Sequence, residues 1–435
     1  MLNYLWNGAA AAALMLVPAG AHAAGNGAPS AMAASQGAAG AIEAFYAARR
    51  NAPLWFEGGR ESVAARELVE ILRRAPIDGL ASGPQLAGRI EQTIAAARSG
   101  DRQAIAAAER MMSSAWVLYV QALRAPTEGM IYGDPGMPSA SPQASIILRD
   151  TARAESLSAY LASVSAVNPT YAALRAAAYA ELKAGAAQPS ARLLANLERA
   201  RAIPSDGRFV LVDAASQRLT MYEHGRPVDS MKVIVGKPKY ATPMIASMIH
   251  YATLNPYWHV PDHLVRELIA ANVVKKGVSY LKTQGYQVVS AYGDDAEILP
   301  PSSVDWKAVA AGKAMVKVRQ LPGASNSLGS VKFPFANGEG IYLHDTPEKE
   351  LFDQDQRTLS NGCIRLEDAQ RFSRWLAGGE LHASGSAPEQ YIRLAKSVPI
   401  YVTYLTATPS GGSLSFREDV YGRDVQAQAK TAALR

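Results

Sequence analysis

Cys363 is the only cysteine in the chain, and His344 is one of seven histidines. A thiolate is the effective nucleophile, whereas an unassisted cysteine is mostly protonated at neutral pH. An imidazole nearby supplies the missing base, so Cys363 with His344 is the minimum set for acyl transfer through a thioester. Ser360-Asn361-Gly362 precedes the cysteine and reads as a sharp turn, because Gly362 allows a backbone that a Cβ forbids. Such a turn presents the thiol at an open surface. It also aims the N–H groups around Gly362 and Cys363 at an acyl oxygen as that oxygen becomes negative. Asp345 follows His344, but neighbours on a strand point to opposite faces, so a backbone carbonyl is the better orienter for the imidazole. On residue types alone, a small buried cysteine and a hydrogen-bonded core histidine are the other reading. A zinc site needs three or four ligands, and one thiol does not supply them.

These residues must be held by local structure that the sequence also announces. Tyr342-Leu343-His344 alternates as the end of a strand, and Asp345-Thr346-Pro347 breaks it. Tyr342 and His344 share a face of that strand. After the cysteine, Leu366, Ala369, Phe372 and Leu376 fall at helical spacing, giving a helix that buttresses the turn. Phe209 to Val212 is a continuous apolar strand, 218–223 alternates, and His224-Gly225-Arg226 turns the chain into a returning strand over 228–235. Val398 to Tyr404 reads as the last strand. Upstream, Ile105, Ala108, Met112, Trp116, Tyr119 and Leu123 step by three or four along the clearest helix of an Ala-rich region.

His-Asp-Thr-Pro, a polar loop, then Ser-Asn-Gly-Cys-Ile-Arg-Leu resembles the catalytic signature of the L,D-transpeptidases, the YkuD-domain family. The resemblance implies Cys363 as nucleophile and His344 as its proton acceptor and donor, either taking the thiol proton or holding the thiolate as an ion pair. Tyr342 joins the Gly362 turn amides as an oxyanion or substrate contact, and Ser360, Asn361 and Arg365 contact substrate, Arg365 either as a bidentate fork for a carboxylate or paired with an internal acid. Most members have His where this chain has Asn361, a departure shared by the large periplasmic YcbB-like branch. The residues of 255–261, a Tyr and a Trp between two prolines, read equally as an aromatic wall beside a cleft or as core packing; in that branch a similar Asn-Pro-Tyr-Trp segment lines the active site, which favours Trp258 as a substrate contact. His259 and His263 are further cleft residues. Arg319 and Lys332 stand in a block that matches the family ahead of the catalytic strand, and either is a candidate contact for a stem-peptide carboxylate, the other reading being an ordinary surface charge. The segments around Phe45-Tyr46, Pro53-Leu54-Trp55 and Asp78-Gly79-Leu80 look like that branch's helical scaffold. The small peptidoglycan-binding module often inserted in that branch has no room here.

The fold expected is α+β. Residues 1–23 form an export signal, 24–40 a flexible leader and 41–202 a helical scaffold domain. Residues 203–408 form a mostly β catalytic domain with an inserted lid over 262–317, and 409–435 form a tail. An apolar run over 9–17 and Ala21-His22-Ala23 fit a cleavable signal, which implies a periplasmic protein with no transmembrane anchor. A formal charge of +6 without a basic block argues against nucleic-acid binding and for contact with anionic wall polymers. No metal or cofactor is implied.

By resemblance, Cys363 attacks the carbonyl of the third, diaminopimelate-type residue of a peptidoglycan tetrapeptide stem and expels D-alanine. A second stem's amine then resolves the thioester into a 3→3 cross-link. Carbapenem β-lactams should acylate the same thiol, and cell-wall synthesis partners are compatible with the missing module. The rivals are an L,D-carboxypeptidase or stem hydrolase using the same cysteine, and an idle wall-binding scaffold. An acidic thiol is expected of an enzyme and an inert one of a scaffold.

Overall fold

The computed structural model describes residues 31–293, 295–410 and 413–425. The export signal expected over 1–23 lies outside them, as do residues 24–30 of the leader. Residues 31–40 depart from the expected flexible leader, since the helix Ala31–Ala48 already includes them. The physical reason is composition: alanine is the best helix former, and here it outweighs the two glycines.

Helices dominate as far as Ala200, with Val63–Arg74, Gly83–Ala97 and Arg102–Leu123 packed against one another. The stripe from Ala108 through Met112, Trp116 and Tyr119 to Leu123 is fully buried, as its spacing requires. Two buried carboxylates pin the connections. Glu109 takes the backbone N–H groups of Leu54, Trp55 and Phe56 and the Tyr46 hydroxyl at 2.7–2.8 Å. Asp78 takes the hydroxyls of Tyr119 and Tyr171 at 2.8 Å. Each acceptor is thereby compensated for its loss of water.

Beyond Arg208 the chain forms a sheet that closes on itself. Around the ring run Val331–Pro334, Tyr342–His344, Ile364–Leu366, Arg226–Gly236, Arg218–Glu223, Phe209–Asp213, Gln390–Thr403 and Met244–Leu254, which returns to Val331–Pro334. Closure removes the free edges. His224 and Gly225 both have positive φ, the backbone of a tight hairpin turn. The helix Ala369–Ala377 follows the cysteine turn and buries Ala369, Phe372 and Leu376, while Leu366 belongs to the strand before it.

The helical part joins this sheet at two places. Met130–Tyr132 adds as a parallel strand to the start of Met244–Leu254. Helix Ala191–Ala200 docks on the C-terminal segment, where Arg199 meets Asp424 at 2.6 Å and the Tyr404 carbonyl at 3.2 Å. The segment expected as a tail over 409–435 is therefore partly packed, through the hairpin Ala407–Ser410 and Ser413–Phe416 and the stacking of Tyr421 on Tyr404, and its residues 426–435 lie outside the described ones.

A second hydrophobic core is separate from the main one. It runs from Trp258 to Leu328 and includes Val265, Ile269, Tyr286, Trp306 and Val318, so the inserted body is wider than 262–317. It contains a small four-stranded sheet and a π-helical stretch, Val265–Ala270. Tyr342 of the catalytic strand packs against it. Glu267 ties it to the loop ahead of Met244–Leu254, accepting from the Tyr240 hydroxyl at 2.6 Å and from Lys239 at 3.2 Å.

Candidate active site

Strand register decides which side chains meet. Tyr342–His344 runs parallel to Ile364–Leu366, with Leu343 opposite Ile364 and His344 opposite Arg365. Paired residues share a face and neighbours alternate. Leu343 and Ile364, both fully buried, take the core face. Tyr342, His344, Cys363 and Arg365 therefore emerge together on the other. Lys332 joins them from the adjoining strand, directly opposite His344.

The turn that carries the thiol is braced from within. Ser360 is buried; its hydroxyl donates to the Cys363 carbonyl at 2.5 Å and accepts the Gly362 N–H at 3.1 Å. Gly362 has φ +114°, a backbone open to glycine, and an added Cβ would lie 3.1 Å from the Ile341 Cδ1. Its carbonyl accepts the Thr242 hydroxyl at 2.7 Å, and the same oxygen of Thr242 takes the Gly236 N–H at 2.9 Å. Because the Gly362 N–H is committed to Ser360, the donor this turn offers an acyl oxygen is the N–H of Cys363. Ser360, expected to touch substrate, instead fixes the turn. Asn361 is half-buried, and its Oδ1 has no partner among the described residues.

His344 is 4% exposed, and its Nδ1 lies 2.6 Å from the carbonyl oxygen of Asp345. A carbonyl only accepts, so Nδ1 carries the hydrogen and Nε2 keeps its lone pair. The Asp345 carboxylate turns away to the Ser330 N–H and hydroxyl at 2.9 Å and to Lys349 at 2.8 Å. A backbone orienter is thus present and a carboxylate orienter is not.

The thiol donates to the Gly340 carbonyl at 3.6 Å, while the backbone N–H and hydroxyl of Tyr342 both donate to the sulfur. The Trp258 indole N–H in turn serves the Tyr342 oxygen. Trp258 is 8% exposed and packs 6.3 Å from Tyr286. It therefore backs Tyr342 rather than lining an open cleft, which corrects the expectation of a direct substrate wall. Arg365 is ion-paired with Glu348, an exposed partner.

Burial sets the protonation states. It pushes the Cys363 thiol up to about 11, against the opposing pull of the Tyr342 donors and Arg365. It lowers His344 to about 3, helped by repulsion from Arg365 and opposed by the Asp345 carbonyl. The Tyr342 phenol is raised well above its usual value by burial and by the neighbouring sulfur. The resting pair is neutral thiol and neutral imidazole. The ion-pair alternative, and the acidic thiol expected of an enzyme, do not describe this state, because burial favours the neutral form of each group. Among the described residues no group of three or more His, Cys, Asp or Glu is arranged to hold a metal, and no helix is long and apolar enough to cross a membrane.

Residues 207–399 match the family model described as the L,D-transpeptidase catalytic domain, YkuD, and residues 40–177 match a scaffold domain. The chain carries a YkuD L,D-transpeptidase catalytic domain. A Haemophilus influenzae protein, provisionally named an L,D-transpeptidase, is 29% identical over 242 residues, 54% of this chain and 48% of that protein. The chain thus spans about half the length of this curated relative. Among solved structures, a variant of the Enterococcus faecium L,D-transpeptidase is 12% identical, covering 45% of this chain and 50% of that one, with a TM-score of 0.23. The Mycobacterium smegmatis L,D-transpeptidase is 14% identical, covering 46% and 59%, with a TM-score of 0.22. Likenesses this slight carry no argument here. The YkuD domain contains every expected site residue, from Trp258 to Arg365.

Reasoning from sequence alone did not single out Thr242, Glu348 or Glu389 as neighbours of the site. Thr242 lies past the end of the returning strand, and nothing in its spacing announces a hydroxyl bridge to Gly362. Glu389 lies outside every local motif, and only closure of the sheet brings it near.

Proposed function

We propose that the protein is an exported, periplasmic peptidoglycan L,D-transpeptidase that forms 3→3 cross-links. The observation that carries this reading is the shared face of Tyr342, His344, Cys363 and Arg365 within a matched YkuD domain, with the imidazole lone pair left free by the Asp345 carbonyl.

The substrate is a tetrapeptide stem whose third residue is a diaminopimelate-type diamino acid. As the sulfur attacks that residue's carbonyl carbon, His344 Nε2 takes the thiol proton. A sulfur–carbon bond forms, and the acyl oxygen becomes negative against the Cys363 N–H and the Tyr342 hydroxyl. The carbon–nitrogen bond to D-alanine then breaks, and the imidazolium returns its proton to the departing amine. In the second half, a side-chain amine of another stem attacks the thioester. His344 takes the amine proton and delivers it to the sulfur, which leaves as the thiol. Arg365 exchanges Glu348 for the terminal carboxylate of the donor stem, and Asn361 Oδ1 accepts a stem amide N–H.

A neutral pair suits this scheme, because a resting thiolate would need solvation that the acyl donor then has to displace. The inserted body acts as a lid, held by Glu267 on Tyr240 and opening to admit the stem. Carbapenems, being strained acyl donors, acylate Cys363. Incubation of purified disaccharide-tetrapeptide with the protein and with Cys363→Ala tests the reading by mass spectrometry. Cross-linked dimer with released D-alanine, absent in the variant, supports it. Monomeric tripeptide alone would make the enzyme a hydrolase.

A further inference from the structure

A charge-balanced pair beside His344 has no part in the steps above. Lys332 lies opposite His344 across one strand pairing and opposite Thr253 across the next, so the three share a face. Its ammonium meets both oxygens of Glu389 at 3.1 and 3.3 Å, and the two side chains are only 15% and 17% exposed. Glu389 also accepts the Tyr257 N–H at 2.7 Å and the Tyr391 hydroxyl at 2.8 Å. The Glu389 charge is felt by His259 and by the Tyr342 hydroxyl that donates to the sulfur, so the pair borders the reaction centre.

Two further features mark the place as more than a surface ion pair. Glu389 and Asn255 both hold positive φ, 54° and 48°, and are joined by the Glu389 N–H to the Asn255 carbonyl at 3.0 Å. Non-glycine side chains adopt that backbone at a cost, and such strain clusters at functional sites. On the Lys332 face, the Thr253 hydroxyl is fully buried and has no hydrogen-bond partner among the described residues.

We propose that Lys332 and Glu389 form a subsite for the α-amino-acid end of a diamino-acid side chain, with Lys332 taking its carboxylate and Glu389 its ammonium. The proposal rests on the stem-peptide reading. A zwitterion laid against an oppositely oriented ion pair makes a four-charge ring of zero net charge, so no charge is buried without a partner. A side chain ending in an amine alone, as in a lysine-type stem, places a second cation beside Lys332 and supplies nothing for it. Leaving a buried charge unpaired in a complex costs roughly 30-fold or more in affinity.

The experiment compares disaccharide-tetrapeptides carrying diaminopimelate or lysine at the third position, with the full chain, Lys332→Met and Glu389→Gln. The readout is the ratio of kcat/KM for the two stems, with carbapenem acylation reporting that each protein is folded. The native chain is expected to favour the diaminopimelate stem at least 30-fold, and each variant to collapse that ratio toward one. No preference in the native chain, or a ratio unchanged in both variants, would overturn the subsite. If neither stem turns over while a carbapenem still acylates Cys363, the transpeptidase reading fails, and calorimetry decides the subsite separately. On a Cys363→Ala background, tighter binding of the diaminopimelate tetrapeptide that is lost in Lys332→Met would sustain it. Equal binding of the two peptides would overturn it.

Discussion

Replacing His344 by alanine should change the shape of the pH–rate profile as well as its height. Burial pushes the Cys363 thiol to about 11, so at pH 7 roughly one molecule in 10⁴ carries a thiolate, equivalent to about 5.5 kcal/mol of the barrier. In the mechanism we propose, Nε2 removes the proton as the sulfur attacks, and the imidazole, held to about 3, is neutral throughout the working range. Carbapenem acylation followed by stopped-flow absorbance, with intact mass confirming the adduct, should therefore be nearly level between pH 5 and 9. In His344→Ala only preformed thiolate reacts. The rate at pH 7 should drop by roughly 10²–10⁴, the usual worth of a positioned base, and then climb tenfold per pH unit. A native profile that itself climbs tenfold per unit between pH 5 and 8, or a variant profile that stays level, would refute the neutral-pair argument.

The same imidazole links pH to stability. His344 binds its proton in the unfolded chain near 6.5 but in the folded one only at about 3. Between those values the unfolded state holds more protons, so stability should fall as pH falls, by up to about 1.4 kcal/mol per unit. Urea unfolding of the native chain against His344→Gln at pH 7 and pH 4 measures the difference, which should narrow at the lower pH. Gly362→Ala, forced to φ +114°, should cost about 1–3 kcal/mol in denaturant midpoints and slow acylation further through loss of the turn. Asp424→Ala strips Arg199 of a buried partner at 2.6 Å and should destabilise by about 3–5 kcal/mol without altering the pH profile. Gly133→Ala would set a Cβ 1.7 Å from the Ala336 carbonyl oxygen, so it should weaken docking of Met130–Tyr132 and increase proteolysis of the helical part.

What was legible in the sequence follows physical range. Local order could be read: the scaffold stripe, the His224-Gly225 hairpin, the end of the histidine strand and the glycine turn all depend on residues a few positions apart. The backbone orienter of His344 was also readable, because strand alternation alone turns the Asp345 carboxylate away. What required the fold was contact across the closed sheet. Trp258 looked like an open aromatic wall, yet a second core, made by residues up to Leu328, buries it behind Tyr342. Ser360 looked like a substrate contact, yet the turn it belongs to consumes both of its hydrogen-bonding roles. An acidic thiol is the sequence expectation for an enzyme and an inert one for a scaffold. Burial, invisible in a motif, raises the thiol and lowers the imidazole instead. The leader failed for a local reason, since Ala-rich sequence was read as flexible where alanine favours helix.

The most direct test of the central claim is mass spectrometry of the protein mixed with disaccharide-tetrapeptide and sampled over time. A transient adduct on the Cys363 peptide equal to the acyl stem without D-alanine is expected, followed by cross-linked dimer, and neither species with Cys363→Ala. Dimer formed by the Cys363→Ala protein, or substrate untouched by a folded native chain that a carbapenem still acylates, would contradict it.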